Sequence, residues 1–173
     1  MTTRQQFLGR LLGVFATPLA LPVWAKAEAL GAGANVRKLE KPRSEWRRLL
    51  ARDVYAVLFE NDTERPHSSP LNQEKRRGTY VCAACYLDLF TSATKYESGT
   101  GWPSFYAPID GRLGTKRDFR LIWPRTEYHC IRCGGHQGHV FSDGPLPTRK
   151  RWCNNGLALE FVPADQPLPA PRT

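Results

Sequence analysis

Apolar residues recur at helical spacing in one stretch of the chain, from Ser44 to about Phe59. The stripe consists of Trp46, Leu49, Leu50, Val54, Val57 and Leu58. Because residues three and four apart share one face of a helix, this spacing predicts a single amphipathic helix that packs on the rest of the protein. Ser44 is a suitable N-cap, since its hydroxyl can accept a hydrogen bond from a backbone N–H of the first turn.

Beyond residue 78 the pattern changes to short apolar and β-branched runs. These runs are 79–82, 89–91, 105–106, 119–123, 128–129, 139–141 and 157–162. Clusters of glycine, proline, aspartate and serine separate them, as is typical of turns between strands. The pattern predicts a mainly β fold with antiparallel sheets and a short helix at its N-terminal end.

Composition fits one globular domain with tails. The chain has 173 residues, of which 41% are hydrophobic and 24% are charged. The formal net charge of +9 permits attraction to nucleic acids, acidic proteins or anionic membranes. Charge alone says nothing about the fold, so the function has to be sought in the motifs.

The first 27 residues have the composition of an export signal. They contain arginines and no acidic residue, then an apolar stretch over residues 11–25, and they end with Ala25-Lys26-Ala27. The apolar stretch is shorter than the roughly 20 residues that a membrane-spanning helix needs. Residues 3–8 resemble a twin-arginine motif in which Gln5 stands in place of the second arginine. We expect cleavage after Ala27 and an exported, periplasmic mature chain; an uncleaved amphipathic anchor is the alternative.

Composition divides the chain into four segments. Residues 1–27 are the expected export signal, and residues 28–43 mix glycine, alanine and charge without periodicity, as a linker does. Residues 44–162 contain the helical and β-type patterns and are the expected globular domain. Residues 163–173 are rich in proline and lack a core pattern, so we expect a disordered tail.

Four of the five cysteines form two CxxC pairs, Cys82 with Cys85 and Cys130 with Cys133. Two residues between paired cysteines allow one turn to direct both sulfurs at a tetrahedral Zn²⁺. Because four cysteine ligands leave no coordination site open for water or substrate, one structural zinc ion per chain is expected rather than a catalytic one. Two disulfides, which export would favour, and a thioredoxin-like redox motif are the alternatives.

The fifth cysteine, Cys153, lies in the sequence Arg-Trp-Cys-Asn-Asn. If this stretch is extended, Arg151, Cys153 and Asn155 share one face of a strand. An arginine beside a thiol stabilises the thiolate, so we expect a lowered pKa for Cys153 and a role as a nucleophile. The alternative is that Cys153 is a buried apolar side chain, which is common for a single cysteine.

Two further stretches could serve such a nucleophile. His136 and His139 are three residues apart in a glycine-rich segment that we interpret as a turn, and histidine can transfer a proton near neutral pH. Trp102 lies between Gly101 and Pro103, which could hold an exposed indole as the wall of a small apolar pocket. The histidines could instead bond the turn or extend the metal site, and the tryptophan could belong to the core.

Taken in order, these motifs resemble one enzyme family. The CAAC and CIRC pairs, SGTGWPSF (98–105), GGHQGHVFSDGP (134–145) and RWCNNGLALEF (151–161) look like the B-type peptide methionine sulfoxide reductases, as does NDTERP (61–66) upstream. The resemblance runs from about Ser44 to Val162.

The resemblance implies a fold of two antiparallel β-sheets with peripheral helices, stapled by zinc. It implies reduction of the R epimer of methionine sulfoxide, preferably peptide-bound, as repair of oxidative damage. It makes Cys153 the attacking thiolate that becomes a sulfenic acid, with His136 and His139 binding and protonating the sulfoxide oxygen. It makes Trp102 the pocket wall that receives the ε-methyl group, and it makes Arg151 and Asn155 flanking groups that hold the site. The implied zinc ligands are Cys82, Cys85, Cys130 and Cys133.

One position departs from the pattern of many family members. Where they carry a second, resolving cysteine, this chain has Thr100 between Gly99 and Gly101. With four cysteines on zinc, no thiol is left to form an intramolecular disulfide. We therefore expect an external reductant, either a small thiol or a thioredoxin-like or glutaredoxin-like protein.

Two other functions are compatible with parts of the sequence. A basic β-domain held together by zinc could bind nucleic acid through Lys95, Lys116, Arg117, Arg149 and Lys150. Such a module needs neither a lone thiol nor two loop histidines, so we expect no nucleic-acid partner. We also expect a monomer and no membrane span in the mature chain. A zinc-containing thiol enzyme with a different substrate is the other alternative.

Overall fold

The computed structural model describes residues 36–119 and 123–173, and in this part of the chain two short helices precede nine strands. Helix α1 spans Arg43–Leu49 and helix α2 spans Arg52–Glu60. The strands are β1 (Gly78–Cys82), β2 (Asp88–Thr91), β3 (Lys95–Tyr96), β4 (Ser104–Phe105), β5 (Leu113–Asp118), β6 (Arg125–Cys130), β7 (His136–Phe141), β8 (Arg151–Asn154) and β9 (Leu159–Pro163).

The strands form two antiparallel sheets. The small sheet has the order β2-β1-β9, and the large sheet has the order β3-β4-β8-β7-β6-β5. Each of the seven strand pairs is antiparallel. The expected mainly β fold with two antiparallel sheets and N-terminal helices is confirmed.

The core lies between the two sheets and is rich in aromatic rings. Phe90 of the small sheet stacks on Phe105 of the large sheet, with ring centroids 4.1 Å apart. Tyr80 meets the same Phe105 ring at 4.9 Å, and Tyr128 meets Phe90 at 6.2 Å. All four rings are fully buried, so these contacts fix the large sheet against the small one.

The predicted single helix is in fact two helices. Leu50 and Ala51 are extended and separate α1 from α2. The break allows Trp46 to stack on Phe59 with ring centroids 5.5 Å apart. In a continuous helix these residues would be about 20 Å apart along the axis. Ser44 is not the N-cap, because α1 begins one residue earlier, after Pro42.

The run at 119–123 was expected to be a strand, but β5 already ends at Asp118. Phe119 is 71% exposed and Trp123 is 81% exposed, and residues 120–122 lie outside the described part of the chain. The true strand β5 lacks an apolar pattern because it forms an edge of the large sheet, where Lys116 and Arg117 can face solvent.

The C-terminal segment differs from the expected disordered tail. The Arg172 N–H donates to Cys85 O at 3.2 Å, and Arg132 Nη2 donates to Arg172 O at 2.6 Å. The Arg172 guanidinium also lies over the Tyr86 ring, 4.3 Å from its centroid. These contacts hold the end of the tail against the segment that follows Cys82.

The expected linker also differs where it is described. Val36 and Leu39 pack against the core, and the Leu39 N–H donates to Arg132 O at 2.7 Å. The expected export signal, residues 1–27, lies outside the described residues. Within the described ranges no helix has the length and apolar character needed to cross a membrane.

Candidate active site

The four paired cysteines meet in one cluster that joins the two sheets. Cys82 ends β1 of the small sheet, Cys130 ends β6 of the large sheet, and all four sulfurs lie within 4.8 Å of one another. The distance is 3.7 Å between the Cys82 and Cys133 sulfurs and 3.6 Å between those of Cys85 and Cys130. Tetrahedral zinc with Zn–S bonds of about 2.3 Å places its sulfurs about 3.8 Å apart. The cluster therefore fits such an ion, and its sulfurs are too far apart for disulfides.

A β-bulge brings the two histidines together. They lie on strand β7 and not on a turn, and in a regular strand residues three apart face opposite sides. Tyr128 pairs with Gly138 and His129 pairs with His136, so Gln137 is an extra residue that reverses the alternation. The ring centroids of His136 and His139 are consequently 5.5 Å apart. A Cβ atom at Gly138 would lie 1.9 Å from Cys153 O, so only glycine fits there.

Cys153 lies directly opposite His139 in the antiparallel pairing of β7 with β8. The stretch 151–154 is extended, as the face-sharing prediction required. Cys153 lies at the edge of a cavity of about 120 Å³. The cavity is also lined by Thr63, Trp102, Arg125, His139, Phe141 and Asn155. The structure thus brings Cys153, His139, Trp102 and Asn155 around one space.

The expected lowering of the Cys153 pKa is wrong. Burial raises the pKa of the Cys153 thiol, and the opposing effects of Arg151 and of the Thr100 hydroxyl do not cancel it. The Arg151 guanidinium is shared with a second group, because it also forms two hydrogen bonds to the Asp143 carboxylate at 2.9 and 2.8 Å. The free protein therefore holds Cys153 as a thiol at neutral pH.

His139 is held by a carboxylate that also binds a cation. His139 Nε2 lies 2.7 Å from Asp118 Oδ2, and Arg125 Nη2 donates to the same oxygen at 2.7 Å. Burial lowers the pKa of His139, while the hydrogen bond to Asp118 acts in the opposite direction. In the resting site His139 is therefore a neutral imidazole at neutral pH.

His136 occupies a different environment from His139. It is only 4% exposed and does not line the cavity. Its Nδ1 lies 3.0 Å from Glu127 Oε1, but the two groups are not aligned for a hydrogen bond. Lys116 Nζ lies 3.1 Å from the same oxygen. Burial lowers the pKa of His136, so this histidine too is neutral at rest.

Trp102 is a partly exposed wall of the cavity and not a core residue. Its indole Nε1–H donates to Glu64 O at 3.2 Å, which fixes the ring. Gly101 has φ of 92°, and a Cβ there would lie 2.8 Å from Pro66 Cβ. Glycine is therefore required to bring the indole to this position.

Asn155 is buried and bridges two segments. Its Oδ1 accepts from the Glu64 N–H at 3.2 Å, and its Nδ2 donates to Gln137 O at 3.3 Å. The Glu64 carboxylate in turn accepts the N–H groups of Gly156 and Leu157 at 2.5 and 3.0 Å. Asn155 thus holds the bulge and the NDTERP segment together beneath the cavity.

Sequence reasoning missed the buried polar residues that support the site. They are Glu64, Asp118, Glu127, Gln137 and Asn154. Asn154 is representative: its Oδ1 accepts from the Tyr128 hydroxyl at 2.8 Å, and its Nδ2 donates to Gln137 Oε1 at 3.3 Å. Several of these residues lie inside recognised motifs, but their partners are distant in sequence and left no local signal.

Comparison with known proteins is consistent with this geometry. Residues 50–163 match the SelR domain family. A protein of Methanosarcina barkeri named peptide methionine sulfoxide reductase MsrB is 49% identical over 126 residues, which cover 72% of this chain and 89% of that protein. Proteins with the same name from Pseudomonas putida and Leptospira interrogans are 48% and 46% identical over 131 and 125 residues. These matches cover 75% and 72% of this chain and 98% and 95% of the respective relatives.

Proposed function

The chain belongs to the B-type peptide methionine sulfoxide reductases, and on that premise we propose that Cys153 reduces the R epimer of peptide-bound methionine sulfoxide. The family is one of oxidoreductases that reduce methionine sulfoxide. Its assignment favours an enzyme over the basic binding module that the net charge allows. The observation that carries the proposal is the pairing of Cys153 with His139 at the edge of a cavity walled by Trp102.

The walls of the cavity suit the methyl group and the oxygen of a methyl sulfoxide. The indole of Trp102 offers an apolar face to the ε-methyl group. The sulfoxide oxygen is a hydrogen-bond acceptor, and His139 is the cavity histidine able to donate to it. With the methyl group, the oxygen and the polypeptide chain each directed to a different wall, only one configuration at sulfur leaves the sulfur atom open to attack by Cys153. That fit supports selection of a single epimer, and the family resemblance makes the R epimer the proposed one.

The proton that the reaction needs comes from the Cys153 thiol. Cys153 is a thiol and His139 is a neutral imidazole, so transfer of the thiol proton to His139 gives a thiolate and an imidazolium. The thiolate sulfur attacks the sulfoxide sulfur while the imidazolium protonates the oxygen. The hydroxyl group then passes from the substrate sulfur to the Cys153 sulfur. The sulfoxide S–O bond and the transient S–S bond break, an S–O bond to Cys153 forms, and methionine leaves while Cys153 remains as a sulfenic acid. Two electrons pass from Cys153 to the substrate sulfur, and no net proton is consumed.

Recovery of the thiol requires a reductant from outside the chain. Thr100 Oγ1 lies 4.0 Å from Cys153 Sγ, where a resolving cysteine would be expected, and it has no redox chemistry of its own. One external thiol attacks the sulfenic acid, releases water and forms a mixed disulfide. A second thiol then displaces Cys153 and leaves as the oxidised disulfide. A small thiol or a thioredoxin-like or glutaredoxin-like protein fits this role.

Zn²⁺ is the proposed occupant of the four-cysteine cluster. Cys82, Cys85, Cys130 and Cys133 would hold it, and its sulfur-only shell leaves no open position for substrate. When bound it would tie the two sheets together. The chemistry of the reaction belongs to Cys153 and His139.

Export to the periplasm is a proposal that depends on the N-terminal composition. Residues 1–27 have the charge and the apolar stretch of a signal, and cleavage after Ala27 would leave a mature chain that begins at Glu28. Expression of the full chain in a Gram-negative host, followed by mass analysis of the periplasmic fraction, tests it. An intact Met1 in the cytoplasmic fraction alone would contradict it.

An epimer-resolved turnover assay tests the proposed activity. The protein is given a peptide with methionine sulfoxide as separate R and S epimers, together with excess dithiol reductant. We expect methionine from the R epimer alone, and none when Cys153→Ser is used. Equal reduction of both epimers, or turnover by the serine variant, would overturn the proposal.

A further inference from the structure

The two histidines are backed by carboxylates from β5 and β6 that the mechanism above does not assign. We infer that Asp118, held by Arg125, is a positioning residue that makes His139 the sole proton carrier of the site. His136, with Glu127 and Lys116 behind it, is then a supporting residue. This inference rests on the proposed function and assigns its proton transfer to one of two histidines that the sequence treats alike.

The contact with Asp118 determines which ring nitrogen of His139 is available to the substrate. Asp118 is the last residue of β5, its side chain is 6% exposed, and its Oδ2 lies 2.7 Å from His139 Nε2. A carboxylate can only accept here, so Nε2 carries a proton in the resting imidazole. Nδ1 is then the unprotonated nitrogen, and it is free to take the Cys153 proton and return it to the substrate oxygen.

The negative charge of Asp118 also stabilises the protonated form of His139. When Nδ1 takes up a proton, the imidazolium and the Asp118 carboxylate form a buried ion pair, which stabilises the charged intermediate. Arg125 donates to the same Asp118 oxygen at 2.7 Å, so the carboxylate remains ionised and fixed while His139 is neutral. Asp118 thus has the role that the aspartate has in a Ser-His-Asp triad, where it fixes the histidine tautomer and stabilises the protonated ring.

Other charged groups around His139 act in both directions. Besides Asp118, Glu127 on β6 favours the protonated ring, while Arg125 on β6 and burial oppose it. Cys153 on β8 lies opposite, and His136 on the same strand β7 is 5.5 Å away between ring centroids. Among the described residues Asp118 is the carboxylate in hydrogen-bond contact with the ring, so its removal should have the largest effect.

His136 has the same kinds of neighbours but no route to the substrate. Its Nδ1 lies 3.0 Å from Glu127 Oε1, and Lys116 lies on the far side of that carboxylate. The ring is 4% exposed and is absent from the cavity lining. Removing the Glu127 charge therefore takes the nearest carboxylate from a buried histidine and leaves the hydrogen bond between Asp118 and His139 in place. Glu127→Gln is the matched control for Asp118→Asn.

The predicted pH profile follows from the two resting groups. A plateau of the single-turnover rate is expected between the His139 pKa, where the ring gains a second proton, and the Cys153 pKa, where the pair loses its proton. The reactive thiolate–imidazolium form is a minor part of the plateau population. Its fraction falls about tenfold for each unit by which the His139 pKa decreases. Loss of the Asp118 charge should lower that pKa, so the plateau falls and the low-pH limb moves to lower pH.

The experiment measures sulfenic acid formation on Cys153 in a single turnover, from about pH 5 to pH 10, for the wild type and three variants. For Asp118→Asn we expect a plateau about 10 to 100 times lower, a low-pH limb displaced to lower pH, and an unchanged high-pH limb. Asp118→Glu should restore most of the plateau. Glu127→Gln removes a charge that acts on His139 only at a distance, so it should displace the low-pH limb less than Asp118→Asn does and change the plateau by less than about fivefold.

A second measurement does not depend on any variant. Nitrogen NMR of the histidine-labelled wild type should show His139 with its proton on Nε2 and none on Nδ1 at neutral pH. The opposite tautomer would overturn the inference. An Asp118→Asn profile that keeps the wild-type low-pH limb and plateau would also overturn it. So would a Glu127→Gln profile whose low-pH limb is displaced as far as that of Asp118→Asn. A wild type that reduces neither epimer would contradict the proposed function, whereas wild-type turnover with any of these results contradicts the inference alone.

Discussion

The side-chain amide of Gln137 donates to Cys82 Sγ at 3.5 Å, which connects the bulge between the two histidines to the four-cysteine cluster. Gln137 is fully buried, and its Oε1 accepts from Asn154, the neighbour of Cys153 in β8. The cluster and the candidate active site are therefore parts of one buried hydrogen-bonded network. A disturbance of the cysteines should reach the cavity.

Replacement of a cluster cysteine should cost both stability and activity. We expect Cys85→Ser to lose bound zinc, to unfold at least about 10 °C lower, and to lose most turnover, because the cluster joins β1 to β6. Metal content per chain and thermal unfolding measure these effects. Cys153→Ser is the control, since it should keep the metal and the unfolding temperature; a Cys85→Ser protein that is as stable and active as the wild type would contradict the structural role of the cluster.

The buried carboxylate of Glu64 should stabilise the turn that follows the nucleophile. Glu64→Ala leaves the N–H groups of Gly156 and Leu157 without their acceptor, so we expect a loss of about 2 to 4 kcal/mol in the free energy of unfolding. Denaturant unfolding measures it. Glu60→Ala, which removes an exposed pair with Arg47, should cost less than about 1 kcal/mol, and equal losses in the two variants would show that the Glu64 contacts are unimportant.

The acidity of Cys153 gives a prediction with a definite sign. Because burial raises its pKa, the thiolate should be scarce at neutral pH, and alkylation of Cys153 should rise with pH to a midpoint above the usual thiol value of about 8.5. Arg151 opposes the effect of burial, so Arg151→Met should move the midpoint still higher. Site-resolved mass analysis after timed treatment with iodoacetamide provides the profile.

Arg149→Met is the matched control for that profile. Arg149 is exposed and two residues before Arg151, so its loss should leave the midpoint unchanged. A wild-type midpoint below about pH 7.5 would mean that Arg151 outweighs burial, as the sequence alone suggested.

Thr100→Cys should create an internal resolving thiol. Thr100 Oγ1 is already 4.0 Å from Cys153 Sγ, and Gly99 and Gly101 on either side have positive φ angles. After one turnover we expect a disulfide between residues 100 and 153, since a modest shift of either side chain brings the sulfurs within bonding range. Intact mass should fall by two hydrogens relative to the reduced protein. Thr100→Ser should show no such loss, and an unchanged mass for the cysteine variant would exclude the pairing.

The sequence predicted those parts of the fold and site that depend on local spacing. The two CxxC pairs located the four-sulfur cluster, and the extended conformation that was assumed around Cys153 is confirmed for residues 151–154. It could not predict the extended residues at Leu50 and Ala51, because the break is set by the packing of Trp46 on Phe59. Nor could it predict that the two histidines share a side of β7, which depends on the register between β6 and β7 at Gln137.

Long-range polar partners were also beyond the sequence. Asp118 and His139 are 21 residues apart, and Glu64 and Gly156 are 92 residues apart. The same limit explains the error on the Cys153 pKa: the neighbouring Arg151 is visible in the sequence, whereas the burial of the thiol and the engagement of Arg151 by Asp143 are tertiary features.

The most direct measurement concerns the fate of the substrate oxygen. The reduced protein is mixed with one equivalent of a peptide with R-methionine sulfoxide, without reductant, and a sulfenic acid trap is added before site-resolved mass analysis. We expect one trapped sulfenic acid on Cys153 for each methionine formed, and neither product with the S epimer. Methionine formed while Cys153 stays unmodified would contradict it.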